Sequence, residues 1–250
     1  MQLFFDHICG QQSDKDFIHC LVSATFEESE YDWAFDNGWC PSNIWYNNNT
    51  NFCRDNKLIW YQSRQVRLDL SEYTETKKER KARKNSRSYY FTKFPNFEEL
   101  YLIYDKYVRY KQFEDRMDLQ GFLDSYNDDS LVFIVYEDVA FSVLESVGKH
   151  LIAHQFCWDY SNPKEYLGKF AGYVEIEYAI NNGFSYIYLG PSYEKGSIYK
   201  KDFAGFEFWT GRKWCKDKKL YVKQLEKDQI TNSISEICAN YDEFFSDFSV

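Results

Sequence analysis

Several side chains in this 250-residue chain are of types that do acid-base or phosphate chemistry. Asp159 closes a strand-like run and stands just before Asn162-Pro163. A carboxylate at such a strand end can hold a cationic amine or accept its proton, and an Asp ahead of Asn-Pro also reads as a turn former. Glu175 and Glu177 lie in a helical pattern, where one can face a cleft and otherwise both are solvated charges. Residues 77–87, KKERKARKNSR, carry seven basic side chains and one acid. That is a local +6 against −15 elsewhere, which together make the net −9. One basic segment on an acidic body fits a localised polyanion contact. Arg80, Arg83, Lys84 and Arg87 are spaced to share a helical face that meets phosphates, or a face that is only solvated.

These groups need elements to place them. The pattern predicts strands at Leu131–Glu137, Val139–Ser146 and His150–Asp159, separated by turns at Asp138 and Gly148-Lys149. A glycine turn at Leu167-Gly168 then opens a helix with Phe170, Ala171, Val174 and Tyr178 on one face. It is capped at Asn182-Gly183, and a buried strand follows at Ser185–Leu189. Loop, helix and strand in this order form one compact unit. Upstream, Leu3–Ile8 and Phe17–Phe26 read as edge strands, and EESEYDWAFDNG as a helix closing on Gly38. Gly38 to Cys53 reads as a Pro- and Asn-rich loop with Trp39, Trp45 and Tyr46 exposed or half-buried. Lys57 to Leu70 is one strand or a broken pair, and Ser71 or Thr74 caps the basic helix. Asn96 to Tyr126 has helical spacing, with a second helix beginning near Asp118. After Lys218 the tail is helical and charged.

Aromatics are 20% of the chain, with 22 Tyr and 22 Phe, so burial rests on rings more than on aliphatics. A mean hydropathy of −0.63 with no long apolar run predicts no membrane span. MQLFFDHICG lacks the basic start and sustained apolar core of a secretory signal. Seven Cys without a CxxC pair fit free thiols in a reducing compartment, so a cytoplasmic location is the default. Cys9, Cys20, Cys40 and Cys53, with His7 and His19, are not spaced as metal ligands, and no metal is expected.

The wording of Tyr166 to Gly190, with LGK, EIEYA, NNG and YIYLG in order, resembles the C-terminal half of the arginyl and leucyl transferases that use aminoacyl-tRNA, within the GNAT acyltransferase fold. Leu167, Gly168, Glu175, Ile176, Ala179, Gly183, Tyr188, Leu189, Gly190 and Tyr199-Lys200 carry the likeness. Gly38-Trp39-Cys40-Pro41-Ser42, Tyr46, Cys53, Tyr61-Gln62-Ser63-Arg64, Leu70 and the basic turn to Asn85 follow the same family order, with Cys40 and Pro41 where the family has paired arginines. Tyr104, Tyr107-Val108-Arg109 and Met117-Asp118 match a further family phrase, with Tyr110 in place of its histidine. The likeness spans about residues 20 to 215.

The resemblance implies an α+β fold with a GNAT-like mixed sheet, its central strands splayed, plus a smaller N-terminal lobe. The division expected is 1–75 for that strand and loop lobe, 76–127 for a basic helical bridge, 128–217 for the acyltransferase core and 218–250 for a helical tail. It implies transfer of an amino acid from aminoacyl-tRNA, as co-substrate and without another cofactor, to a free N-terminus of a protein or peptide. The splayed strands would bind the acyl donor, and the helix start at Gly168 would meet phosphate or a developing oxyanion. Asp159 or Glu177 would act on the amine, the phenol of Tyr193 or Tyr199 would donate a proton, and Lys200 would bind a phosphate or carboxylate. The Cys9–Leu70 lobe, with Trp39, would receive the acceptor, and Arg64, Arg67 or Arg54 would pair with an acidic one. Aligned on Gly168, Glu165 and Phe170 stand where coenzyme A users need a polar side chain and a small residue, which disfavours that donor; a register on Gly172 keeps it open. A coenzyme A-dependent N-acetyltransferase and a non-catalytic tRNA- or peptide-binding member of the fold are the competing readings.

Overall fold

The computed structural model describes residues 1–12, 15–41, 53–54, 57–84, 87–112, 116–137, 139–161, 167–192, 195–228 and 230, with backbone alone at 4–22, 53–54, 57 and 195. Trp45, Tyr46, Asn85, Glu165, Tyr166, Tyr193 and the tail from 231 lie outside this set, as do the side chains of His7, Cys9, His19, Cys20, Cys53 and Arg54. Two compact units form, Met1–Arg67 with Gly190–Val250, and Leu68–Leu189.

In the first unit, β1 (Gln2–Gln12) and β2 (Lys15–Thr25) pair antiparallel over most of their length. The helix α1 (Tyr31–Asp36) stops where Gly38 takes φ +77°. Strand β3 (Trp39–Pro41), β4 (Cys53–Arg54) and β2 all pair with β5 (Lys57–Gln62). The run from Lys57 to Leu70 is indeed a broken pair, and its second part, β6 (Gln65–Asp69), leaves for another sheet. The rings of Phe26, Phe35, Trp39 and Trp60 are buried here, with Phe26 edge-on to both tryptophans and Phe35 edge-on to Trp60. Each such ring contributes roughly 1.5–3 kcal/mol by leaving water.

The second unit is a sheet between helices. Asp69 turns the chain, and α2 (Lys77–Arg83) starts with Thr76 Oγ1 accepting from Glu79 N at 3.1 Å. Thr76, and not Ser71 or Thr74, is the cap because it alone stands three residues before a glutamate that can fill the first turn. Strand β7 (Tyr89–Thr92) follows, then α3 (Phe97–Lys111) and α4 (Leu119–Tyr126), the last begun by Asp118 Oδ1 accepting from Gly121 N. The strands β8 (Leu131–Tyr136), β9 (Ala140–Val147) and β10 (His150–Trp158) form an antiparallel meander, with β7 on the far side of β8. The crossover helix α5 (Leu167–Asn181) leads into β11 (Tyr186–Pro191), parallel to β10. Alternation assigns the two faces. Phe133 and Phe141 meet Phe97 of α3 and Phe122 of α4, while Tyr136 and Ser142 meet Phe170 and Glu175 of α5. The segment expected to be a basic helical bridge also supplies β7, whose Tyr-Tyr-Phe-Thr composition suits a pleated surface.

Strand β12 (Phe206–Trp209) pairs with β13 (Trp214–Cys215) in the first unit, followed by α6 (Lys218–Asp228). The fold class is α+β with a mixed sheet, as the sequence indicates, and no helix among the described residues is long and apolar enough to cross a membrane.

Candidate active site

Strands β10 and β11 share only three parallel pairs, His150↔Tyr186, Leu151↔Ile187 and Ile152↔Tyr188, while β10 runs on to Trp158. The cause lies in β10 itself. Its pairing with β9 shifts between Ala153 and Gln155, which leaves His154 as an extra residue. Such a bulge bends its strand and sharpens the twist, two residues after the last parallel pair. His154 is held by Glu145 at 2.6 Å, both side chains almost fully buried. Splayed central strands are therefore present. The bulge with its His–Glu pair has no signature in the sequence, because a two-residue alternation gives no sign of an inserted residue.

A crossover helix begins at the C-terminal end of the strand it follows, so the start of α5 belongs to the open end of this pair. A Cβ on Gly168 would lie 3.7 Å from Phe156 Cε1, which places the first turn of α5 over the parted length of β10. The space is ordinary, and glycine is not required there by sterics. Its first-turn N–H groups carry the helix's partial positive charge. Beneath them a buried chain runs from Tyr136 to Ser142, whose Oγ donates to Glu175 Oε1 at 2.5 Å. Burial first, and the Glu175 carboxylate second, push the Tyr136 phenol up. Glu175 is therefore a core acceptor. Phe170 is also buried, against Tyr89 and Tyr136. Its ring thus presents no obstacle to a ligand, contrary to the alignment on Gly168. Gly172 lies inside α5, one turn beyond Gly168.

Asp159 caps the end of β10. Its Oδ2 takes Lys106 Nζ at 2.8 Å and its Oδ1 accepts from Ser161 N at 2.9 Å. The lysine first, and the turn N–H next, hold its carboxyl below the usual carboxylate value. It is well suited to hold a cation and poorly suited to take a proton. Glu177 does not join it. Nine residues beyond Gly168 on the same helix, it is about 14 Å along the axis, where it pairs with Arg83 Nη1 at 2.6 Å. There it lines a hollow of ≈ 420 Å³ with Tyr73, Glu75 and Glu79.

The basic helix does not present one face. Arg83 turns inward to Glu79 and Glu177, and Arg87 pairs with Glu137 at 3.0 Å. Lys77, Lys78, Arg80, Lys81 and Lys84 are exposed, with Arg80 a loose 3.9 Å from Glu75. In the first unit Trp39 is buried, not half-exposed. Arg64 does meet a carboxylate, but that of Asp228 on α6, at 2.9 and 3.1 Å, and it also donates to Trp209 O. Arg67 pairs with Glu207 at 2.8 Å and lies 4.1 Å over the Trp214 ring. Both guanidiniums are enclosed, because a charge leaves water only when its partners are built in. Tyr199 is half-exposed beside Phe203, and Lys200 is buried with Nζ donating to Pro191 O at 2.9 Å. Among the described residues no group of three metal-ligating side chains gathers.

Neither a protein-family model nor a curated protein matches the sequence. Solved structures match in part. L-PGS from Bacillus licheniformis is 13% identical with a TM-score of 0.40, over 66% of this chain and 50% of that one. The C-terminal domain of a putative lysylphosphatidylglycerol synthetase from Agrobacterium fabrum is 9% identical at 0.41, over 67% and 52%. FemX is 8% identical at 0.40, over 64% and 59%. This chain spans about half the length of these structures.

Proposed function

We propose that this chain is an acyltransferase of the aminoacyl-tRNA-dependent kind, moving an arginine- or leucine-like residue from its tRNA ester to the free N-terminus of a protein or peptide in the cytoplasm. The observation that carries the reading is the parting of β10 from β11 after Ile152↔Tyr188, with the first turn of α5 over the parted strand. Aminolysis of an ester needs the reactants aligned and the oxyanion met by fixed donors, and needs no further cofactor. The first turn of α5 at Gly168 offers such donors. Asp159, by exchanging Lys106 for the incoming ammonium, anchors the acceptor amine. Lys77, Arg80, Lys81 and Lys84 meet backbone phosphates of the donor, with Arg83 and Arg87 bracing the segment.

The deciding experiment incubates the full chain with each aminoacylated tRNA and a peptide library, read by mass spectrometry, beside a parallel arm with acetyl-coenzyme A. Label on peptides from charged tRNA supports the reading. Acetylation alone replaces it with the coenzyme A reading, and tRNA binding without any transfer replaces it with a non-catalytic one. Reversal of two exposed charges, Arg80→Glu with Lys84→Glu, should weaken tRNA binding and flatten its dependence on log salt by about 2, one for each phosphate that no longer meets a cation. An unchanged slope would remove α2 from the account.

A further inference from the structure

The end of β10 carries a column of rings. Trp158 lies 4.0 Å from Tyr160, and Tyr160 is stacked on Tyr110 of α3 at 3.8 Å with only 8° between planes. Tyr107, one turn earlier on α3, flanks the column at 5.9 Å from Tyr160. Tyr160 is thus covered on both sides, whereas Tyr110, the outermost ring, is 59% exposed. Packing of the core does not account for this. Tyr110 is a large ring held parallel to its neighbour at the spacing of stacked bases, and it is left in water.

Among the described side chains beside it, cations outnumber carboxylates by one. Lys106, Arg109 and Lys111 are exposed on the same stretch of α3. Lys106 pairs with Asp159 and Arg109 with Asp105 at 2.8 Å, so three cations face two carboxylates. A ring with one free face and a slight surplus of positive charge is the composition that binds an unpaired nucleotide, the base on the ring and its phosphate on a cation.

We propose that Tyr110 is a stacking platform for an unpaired nucleobase, so that this end of β10 holds a single-stranded stretch of RNA. This deepens the function proposed above, since an aminoacyl ester sits at a single-stranded 3′ end and the column lies at the end of the parted strand. Most of the affinity comes from stacking, because the local cations are largely neutralised. Binding is therefore tolerant of sequence and only weakly dependent on salt, with a slope near −0.7 for about one phosphate contact.

The test measures binding of a short fluorescent oligoadenylate to the full chain, with the same sequence in a duplex as control, for wild type, Tyr110→Ala and Tyr110→Phe. The single strand should bind better than the duplex. Tyr110→Ala should weaken it about tenfold and Tyr110→Phe should not, as expected for loss of one base–aromatic stack. Thermal unfolding of the Ala variant should stay within a few degrees of wild type, since only the stack on Tyr160 is lost. Equal binding of strand and duplex, indifference to Tyr110→Ala, or no binding of the oligonucleotide overturns the inference. Aminoacyl transfer measured on the same variants separates the two claims. Transfer that persists without any effect of Tyr110→Ala on binding sinks the platform alone, and Tyr110-dependent binding without transfer sinks only the enzymatic reading.

Discussion

Replacing Arg64 by Met separates two roles that the sequence leaves open. If the guanidinium received an acidic acceptor, its loss would raise KM and leave stability unchanged. The structure gives a different expectation. Arg64 and Asp228 have side chains 1% and 5% exposed, joined at 2.9 Å, and the same guanidinium reaches Trp209 O at 3.0 Å and Gln224 Oε1 at 3.3 Å. Met fills much of the volume and leaves Asp228 as a buried charge without its partner, which costs about 3–5 kcal/mol. With a urea dependence of about 2 kcal/mol/M, the unfolding midpoint should fall by about 2 M. Tryptophan fluorescence is a suitable probe, because among the described tryptophans Trp33, Trp39, Trp60, Trp209 and Trp214 belong to the first unit and only Trp158 does not. Adding Asp228→Leu should restore most of the loss, since two apolar groups of similar size replace a buried ion pair at little cost. A wild-type midpoint in Arg64→Met with a raised KM for acidic peptides would refute the reasoning and return Arg64 to the binding surface.

Three further outcomes follow from particular side chains. Gly38→Ala places a Cβ 2.2 Å from Trp209 Cδ2 at a φ of +77°, so strain and overpacking together should cost about 2–5 kcal/mol, measurable as a lowered Tm. Asp159 has its carboxyl held below the ordinary 3.8 by Lys106, so its contribution is complete above about pH 4 and is lost as pH falls through the lower folded value. The pair is largely solvated, so Asp159→Asn should change stability at pH 7 by less than ~1 kcal/mol and flatten only the acid limb of the stability profile. Cys157 is fully buried and desolvation pushes its thiol up, whereas Cys215 is partly exposed. A native-state alkylation map should show adduct on Cys215 and none on Cys157.

The order β8, β9, β10, α5, β11 is legible in the sequence because its signals are local. Alternation marks the strands, Gly148 and Gly183 take the left-handed turns expected of them, and Asp118 caps α4. The two-faced burial of α5 is less so. The sequence marks one face through Phe170, Ala171 and Val174, but Glu175 is buried as well against Ser142 of β9, and Tyr173 is buried on the side where α2 packs, its carbonyl meeting Arg83. Charges are the hardest to place. Arg64 looks like Arg80 in the sequence, and what distinguishes it is Asp228, 164 residues away; Arg83 has Glu79 at i−4 within reach of a spacing rule, but its second partner Glu177 stands 94 residues away. No spacing rule reaches that far. The bulge at His154 is hidden for a related reason, since an inserted residue of β10 shows only in its register against β9.

The division of the chain has a consequence for its birth. Leu68–Leu189 is one uninterrupted stretch, while the other unit needs both Met1–Arg67 and Gly190–Val250. On a ribosome the middle segment has all its parts at hand well before synthesis ends. The opening segment must wait, with Arg64 lacking its counter-charge until Asp228 has left the exit tunnel. A nascent chain halted before that point should show protease resistance confined to the middle, and chaperones should be found on the beginning.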